Sequence, residues 1–245
     1  MIEPRLPVTS AQNHPFNFVI SLKVGSTFLR NLVYYLDNGE AYSAVERNFP
    51  KDLLRRSLTR EQLANEVSFY VVRDPVDRFF SLYFDKAIGS EDARFPWLRQ
   101  TLIKNRTFHE GPDWTIEQHR ENCDSLLAYV GLRVRGRVNE GRINQHWSKQ
   151  IIRLENAIKF GLKPLTLDNL EHQLLTIADG RIDGLETAIS NVTTRNRSPR
   201  PVQKEDILSP ELQYKIDTLY AEDTQLYELV KTGWEVLGHP PEINL

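Results

Sequence analysis

The N-terminal third of the chain carries one pattern twice: a β-rich apolar run, a polar turn, then apolar positions at helical spacing. The first run, Phe16-Asn17-Phe18-Val19-Ile20-Ser21-Leu22, predicts a buried strand. It opens into Lys23-Val24-Gly25-Ser26-Thr27. Phe28, Leu29, Leu32, Val33 and Leu36 then recur at helical spacing until Asp37-Asn38-Gly39 favours a stop. The second run, Val67-Ser68-Phe69-Tyr70-Val71-Val72, leads into Arg73-Asp74-Pro75, where Asp74 suits a helix N-cap and Pro75 the first helical position. Val76, Phe79, Phe80, Tyr83, Phe84 and Ala87 follow as one continuous apolar face. Two strand-turn-helix units predict an α/β fold with a central, mainly parallel sheet flanked by helices. The ligand cleft is expected at the strand carboxyl ends.

Beyond residue 88 the pattern weakens. Residues 89–114, with Gly89, Pro96, Gly111 and Pro112, read as loop, and a helix is expected from Thr115 to Tyr129. Residues 133–150 are rich in Arg and Asn. A short strand is expected within 158–170, before a helix carrying Leu170, Leu174, Leu175 and Ile177. Asn191 to Pro201 reads as a basic loop with Arg195, Arg197 and Arg200. A last helix is expected from near Pro210, through Leu212, Ile216, Leu219, Tyr220, Leu226, Tyr227 and Val230. No repeat, low-complexity tract or linker divides the 245 residues, so the expectation is one domain, with residues 1–15 irregular.

Composition narrows the function classes. A net charge of −2, from 31 Lys+Arg against 33 Asp+Glu, argues against a bulk nucleic-acid binder but leaves room for a local anion pocket. The proline-broken N-terminus has no apolar core of a signal peptide, and no apolar stretch is long enough for a membrane span. Cys123, the one cysteine, excludes an internal disulfide framework and a cysteine-based zinc site. A soluble, cytoplasmic protein is expected, and the oligomeric state is left open.

The first turn carries the first candidate chemistry. A strand ending in a Gly-Ser-Thr turn points the amides of the helix N-terminus outward, with the positive end of the helix dipole behind them. Gly25 allows close approach, Ser26 and Thr27 add hydroxyls, and Lys23 adds a cation. An ordinary capped turn would look the same. The spacing is not G-x-x-x-x-G-K-[ST], and no G-x-G-x-x-G occurs, which disfavours a nucleoside triphosphatase and a dinucleotide enzyme. In the second turn, Arg73 at a strand end and Ser81 two helical turns on suit a second phosphate. The plainer alternative pairs Arg73 with Asp74 or Asp77 and makes Ser81 a packing residue.

Together the segments resemble a known family. Lys23-Val24-Gly25-Ser26-Thr27 resembles the 5′-phosphosulfate loop of the sulfotransferases that use 3′-phosphoadenosine 5′-phosphosulfate (PAPS). Val71-Val72-Arg73-Asp74-Pro75-Val76-Asp77-Arg78-Phe79-Phe80-Ser81-Leu82-Tyr83 is similar to their 3′-phosphate segment, in the form found in carbohydrate sulfotransferases and their bacterial relatives. Asn144-Gln145-His146-Trp147-Ser148-Lys149-Gln150 is similar to the family's H-W-x-P-Q segment, with Lys149 in place of the proline. Leu167-Asp168-Asn169-Leu170 and Tyr220-Ala221-Glu222-Asp223 are weaker echoes.

The resemblance implies a P-loop-like sulfotransferase fold and in-line sulfuryl transfer from PAPS to a hydroxyl of a carbohydrate or glycolipid. PAP (3′-phosphoadenosine 5′-phosphate) would be the product, and no metal is required. It further implies that Lys23 offsets charge on the leaving oxygen, and that Lys23, Val24, Gly25, Ser26, Thr27 and Phe28 hold the 5′-phosphate. Arg73 and Ser81 would hold the 3′-phosphate, with Arg195, Arg197 or Arg200 closing over it. The acceptor hydroxyl needs a base: His146 is one candidate, Glu46 its rival, and Glu40 a third. Trp97, Trp114 and Trp147 are candidates to stack on a sugar, and His109-Glu110 to reach a cleft. Two other readings stay open: transfer to a small-molecule alcohol or amine, and an inactive nucleotide-binding module.

Overall fold

The computed structural model describes residues 3–42, 55–89, 96–105, 108–109, 111, 113–134, 146–192 and 202–243. The chain divides into two compact units. The first comprises Met1–Arg73, Gln150–Arg195 and Leu226–Leu245, the second Asp74–Lys149 and Asn196–Gln225.

The first unit is built on a five-stranded sheet of β1 (Arg5–Ser10), β2 (Phe16–Ile20), β3 (Arg55–Thr59), β4 (Val67–Val72) and β5 (Lys163–Thr166), in the order β3-β1-β2-β4-β5. β2, β4 and β5 are parallel neighbours, and β1 lies antiparallel to both β2 and β3. Four strands therefore run one way and β1 alone runs against them, the mainly parallel α/β sheet that the sequence predicts. β4 is buried at all six positions, as a central strand covered on both faces must be. Its neighbour β2 is followed by α1 (Ser26–Asn38), which ends at Gly39 in the left-handed region at φ 74°. α6 (Gln150–Lys159) packs on β2 and β4, and α7 (Leu170–Ala178) on β4 and β5. α2 (Arg60–Asn65), α8 (Leu185–Asn191) and the Leu226–Trp234 part of α11 (Ala221–Leu237) complete this unit. Its core includes Phe16, Phe18, Leu29, Leu32, Phe69, Val71, Leu154, Leu165 and Leu174.

The irregular N-terminus expected from residues 1–15 is corrected by β1. Leu6 and Val8 alternate inward there with exposed Arg5 and Pro7. Pro7, which has no N–H to give, lies where β1 pairs only with β3; the β2 pairing is confined to Thr9 and Ser10. Ser10 Oγ donates to Asn17 Oδ1 (2.5 Å), and Asn17 Nδ2 donates to Glu66 Oε2 (2.7 Å) and Ser68 Oγ (3.3 Å). This buried polar chain across three strands fixes their register.

The second unit is helical. It holds α3 (Pro75–Leu82), a π-helical turn (Tyr83–Ala87), α4 (Pro96–Asn105), α5 (Ile116–Val134), α9 (Lys204–Ile207) and α10 (Pro210–Leu219). Its core gathers Phe79, Phe80, Tyr83, Phe84, Leu102, Leu126, Val130, Trp147 and Ile216. The apolar face expected through Ala87 is buried, but the helix changes pitch at Tyr83, where the Ile88 amide donates to the Tyr83 carbonyl (3.1 Å). The loop expected over 89–114 contains α4, which sinks Leu98 and Leu102 one turn apart and shows little other apolar pattern. The single last helix is two, because Tyr220 leaves helical backbone at φ −113°, ψ 31°.

Candidate functional site

In the first unit the chemistry gathers at the carboxyl ends of β2 and β4, neighbours in parallel register from Phe16↔Val67 to Ile20↔Val71. The chain leaving β2 turns through two left-handed residues, Lys23 at φ 68° and Gly25 at φ 78°. Lys23 is a non-glycine residue in a region that L side chains avoid, a strain met mostly at functional sites. The φ of Gly25 favours glycine, and a Cβ there would sit 2.6 Å from Leu167 Cδ1, so the Leu167 side chain would have to shift. As N-cap of α1, Gly25 has no side chain to cap the first amides, and the first turn contains no acidic residue. These amides and the dipole of a 13-residue helix favour negative charge at this terminus. Val24 and Phe28 are buried anchors, Lys23 and Ser26 half-buried, and Thr27 exposed.

Arg73, at the end of β4, reaches back to this turn: its Nη1 donates to the Lys23 carbonyl oxygen (2.9 Å). Its main chain is held in turn by the buried side chain of Gln150. The Arg73 amide donates to Gln150 Oε1 (3.1 Å), and Gln150 Nε2 donates to the Arg73 carbonyl (2.8 Å). Past β5, the Leu167 side chain lies against Gly25, and the Tyr227 hydroxyl donates to Asp168 Oδ2 (2.6 Å).

In the second unit, Asp74 caps α3 by accepting from the Asp77 amide (2.8 Å), with Pro75 in the first turn. Burial raises the Asp74 carboxyl above its ordinary value, against the lowering effect of that amide. Asp77 pairs with Lys204. Arg78, almost wholly buried, faces Asp223 (3.9 Å), and its Nη2 donates to the His146 carbonyl oxygen (3.1 Å). The Tyr220 hydroxyl donates to the Trp147 carbonyl (3.1 Å), and Lys149 pairs with Glu222 (2.7 Å). The 146–149 turn is thus clamped on Arg78 and on the start of α11.

The model of the sulfotransferase family matches residues 11–229. The chain belongs to that family. Neither a search of curated proteins nor one of solved structures finds a match. The chain is accordingly an enzyme that transfers a sulfuryl group, and the family in general takes that group from PAPS and releases PAP.

Of the residues singled out in this sulfotransferase, Lys23, Val24, Gly25, Ser26, Thr27 and Phe28 stand on one turn with Arg73 bonded to it. Ser81 is half-buried on α3, and His146 is half-buried in the clamped turn with its ring tilted 51° to Trp147. Glu40 is exposed just beyond α1. Glu46, Glu110, Arg195, Arg197 and Arg200, and the Trp97 side chain, lie outside the described residues. Trp147 is 1% exposed in the second core, which corrects its candidacy as a sugar platform. Trp114 is half-buried, and its Nε1 donates to the His109 carbonyl (3.0 Å). Among the described residues no group of three or more His, Cys, Asp or Glu could hold a metal ion, and no helix is long and apolar enough to cross a membrane.

Gln150 and Arg78 lie in segments quoted from the sequence, where neither has an assigned role. Arg78 was legible as a lone cation on an otherwise apolar helix. Gln150 ends the segment similar to H-W-x-P-Q, but nothing local signals its bond, because its partner lies 77 residues away. A buried pair, the Tyr83 hydroxyl with His119 Nδ1 (2.7 Å), also went unread; burial lowers the His119 pKa.

Proposed function

We propose that this sulfotransferase moves the sulfuryl group of PAPS to a hydroxyl of a carbohydrate or glycolipid. The observation that carries the reading is the bond from Arg73 to the Lys23 carbonyl, which ties the guanidinium at the end of β4 to the main chain of the turn that carries Lys23 and leads into the helix N-terminus. The residues suit a doubly phosphorylated nucleotide. The glycine at position 25 leaves room that a Cβ would fill, and no carboxylate stands in the first turn of α1 to repel an anion.

In this reading the amides of Gly25 to Phe28, with Ser26 and Thr27, hold the 5′-phosphate. Arg73 and Ser81 hold the 3′-phosphate through charge-assisted bonds, with Arg195 and Arg197 adding charge. Bound PAPS supplies the sulfuryl group. Lys23 offsets negative charge on the phosphate side of the bond that breaks. His146 takes the acceptor proton, and Glu46 is the rival for that role. What favours His146 is the suitability of imidazole as a base near neutral pH and the fixing of its main chain by Arg78. The carbohydrate acceptor rests on the likeness of the Arg73–Tyr83 segment to carbohydrate sulfotransferases.

The test is a transfer assay with labelled sulfuryl donor against oligosaccharides, glycolipids, phenols and amines. Label on sugar hydroxyls is expected. Label confined to small phenols or amines moves the acceptor class, and tight PAP binding without transfer to anything leaves a nucleotide-binding module. His146→Ala is expected to collapse turnover while PAP still raises Tm. Normal turnover in that variant, with loss in Glu46→Gln, transfers the base to Glu46.

A further inference from the structure

Gln150 is 1% exposed, and both ends of its amide are spent on the main chain of one residue, Arg73. That two-bond pattern is the one a neighbouring strand would give. Here a side chain from the first residue of α6 provides it just past the last β4 residue. The last residue of β5 is also held by a buried glutamine, Gln173, whose Oε1 accepts from the Thr166 amide (2.7 Å). The two differ in what they hold. Thr166 is buried sheet, whereas Arg73 sends its guanidinium to the carbonyl of the left-handed Lys23. A guanidinium is a rigid fork, and its bidentate bonds depend on where its Cα is pinned.

We infer that Gln150 is a positioning residue for Arg73. By fixing the Arg73 main chain it aims the guanidinium, and so it sets the enzyme's preference for a nucleotide bearing a 3′-phosphate. The inference rests on the 3′-phosphate role proposed above for Arg73. Gln150 itself touches no substrate in this scheme.

The experiment compares PAP with adenosine 5′-phosphate by calorimetric titration of wild type, Gln150→Met and Gln150→Glu. Wild type is expected to prefer PAP. Gln150→Met keeps the volume but leaves the Arg73 amide and carbonyl without that partner, and should reduce the preference by about tenfold while adenosine 5′-phosphate affinity changes little. Gln150→Glu is nearly isosteric and guards against a variant that fails to fold. Ionised, it cannot donate to the Arg73 carbonyl; protonated, it can donate there and still accept from the Arg73 amide. Its preference, divided by that of wild type at the same pH, should therefore recover as pH falls. A merely stabilising glutamine would show itself as a lower Tm with the preference unmoved in both variants, and that result overturns the inference. A wild type that binds both nucleotides equally overturns the Arg73 reading itself and the inference with it, an outcome visible before any variant is made.

Discussion

Two crossings from strand to helix, β2 to α1 and β4 to α3, share a topology and differ in how the helix begins. α1 opens on Gly25, with no capping side chain and no acid in its first turn; α3 opens on Asp74, whose carboxylate takes the Asp77 amide, and on Pro75, which has no amide to satisfy. In the function proposed above, the first crossing offers its backbone donors to the nucleotide, while the second caps its helix with Asp74 and offers the side chain of Arg73 instead. On that reading, one fold element presents an anion site as main chain or as guanidinium. The capping residue decides which.

The comparison can be broken most severely at Lys23. Lys23→Ala should lower turnover by about a hundredfold or more, the scale of losing one charge-stabilising donor, while PAP affinity falls far less. Steady-state rates beside calorimetry separate the two effects. Equal losses would give Lys23 a binding role only. Gly25→Ala should weaken PAP by about tenfold or more and lower Tm, because alanine is strained at φ 78° and its Cβ meets Leu167.

A third substitution sharpens the contrast by making α1 resemble α3. Thr27→Asp puts a carboxylate on an exposed first-turn position, which should add about 0.5 kcal/mol through the helix dipole yet weaken PAP several-fold by repulsion. A rise in Tm with unchanged affinity would remove the anion from this terminus.

The smallest effect is at the other crossing. Asp74→Ala should cost about 1 kcal/mol, roughly 2–4 °C in Tm, through the lost cap. Asp74 also has a signed pH signature. Its carboxyl is raised in the folded state, so the native protein holds that proton more tightly than the unfolded chain. Stability from this group is present below the ordinary value of 3.8 and declines as pH climbs through the raised folded value. Asp74→Asn, which keeps an acceptable cap, should flatten that part of the curve of Tm against pH.

The same contrast explains what the sequence made legible. β2, β4, α1 and the start of α3 announce themselves through dense apolar runs bounded by Gly25 or Asp74-Pro75, signals that span a few residues. β1 and β3 do not: Pro7 interrupts one, and the other, Arg55-Arg56-Ser57-Leu58-Thr59, has few buried positions and is paired on one side only. α6 was missed because it follows the Arg- and Asn-rich stretch 133–150, although Leu154, Ala157 and Ile158 form its buried face. Within the site, Lys23, Gly25 and Arg73 were readable because each sits beside its own structural signal. The Gln150 bonds to Arg73 and the Arg78 contact with Asp223 join residues remote in sequence, and no local pattern encodes them.

The left-handed backbone of Lys23 has an evolutionary consequence. Glycine would relax that residue by about 1 kcal/mol, so selection for folding alone would erode lysine at this position. In a library of all amino acids at position 23, sorting by protease resistance should enrich glycine, and sorting by sulfuryl transfer should return lysine. On the proposed role of Lys23, the chain stands at a stability below its reach, held there by the demand for an ammonium beside the breaking bond.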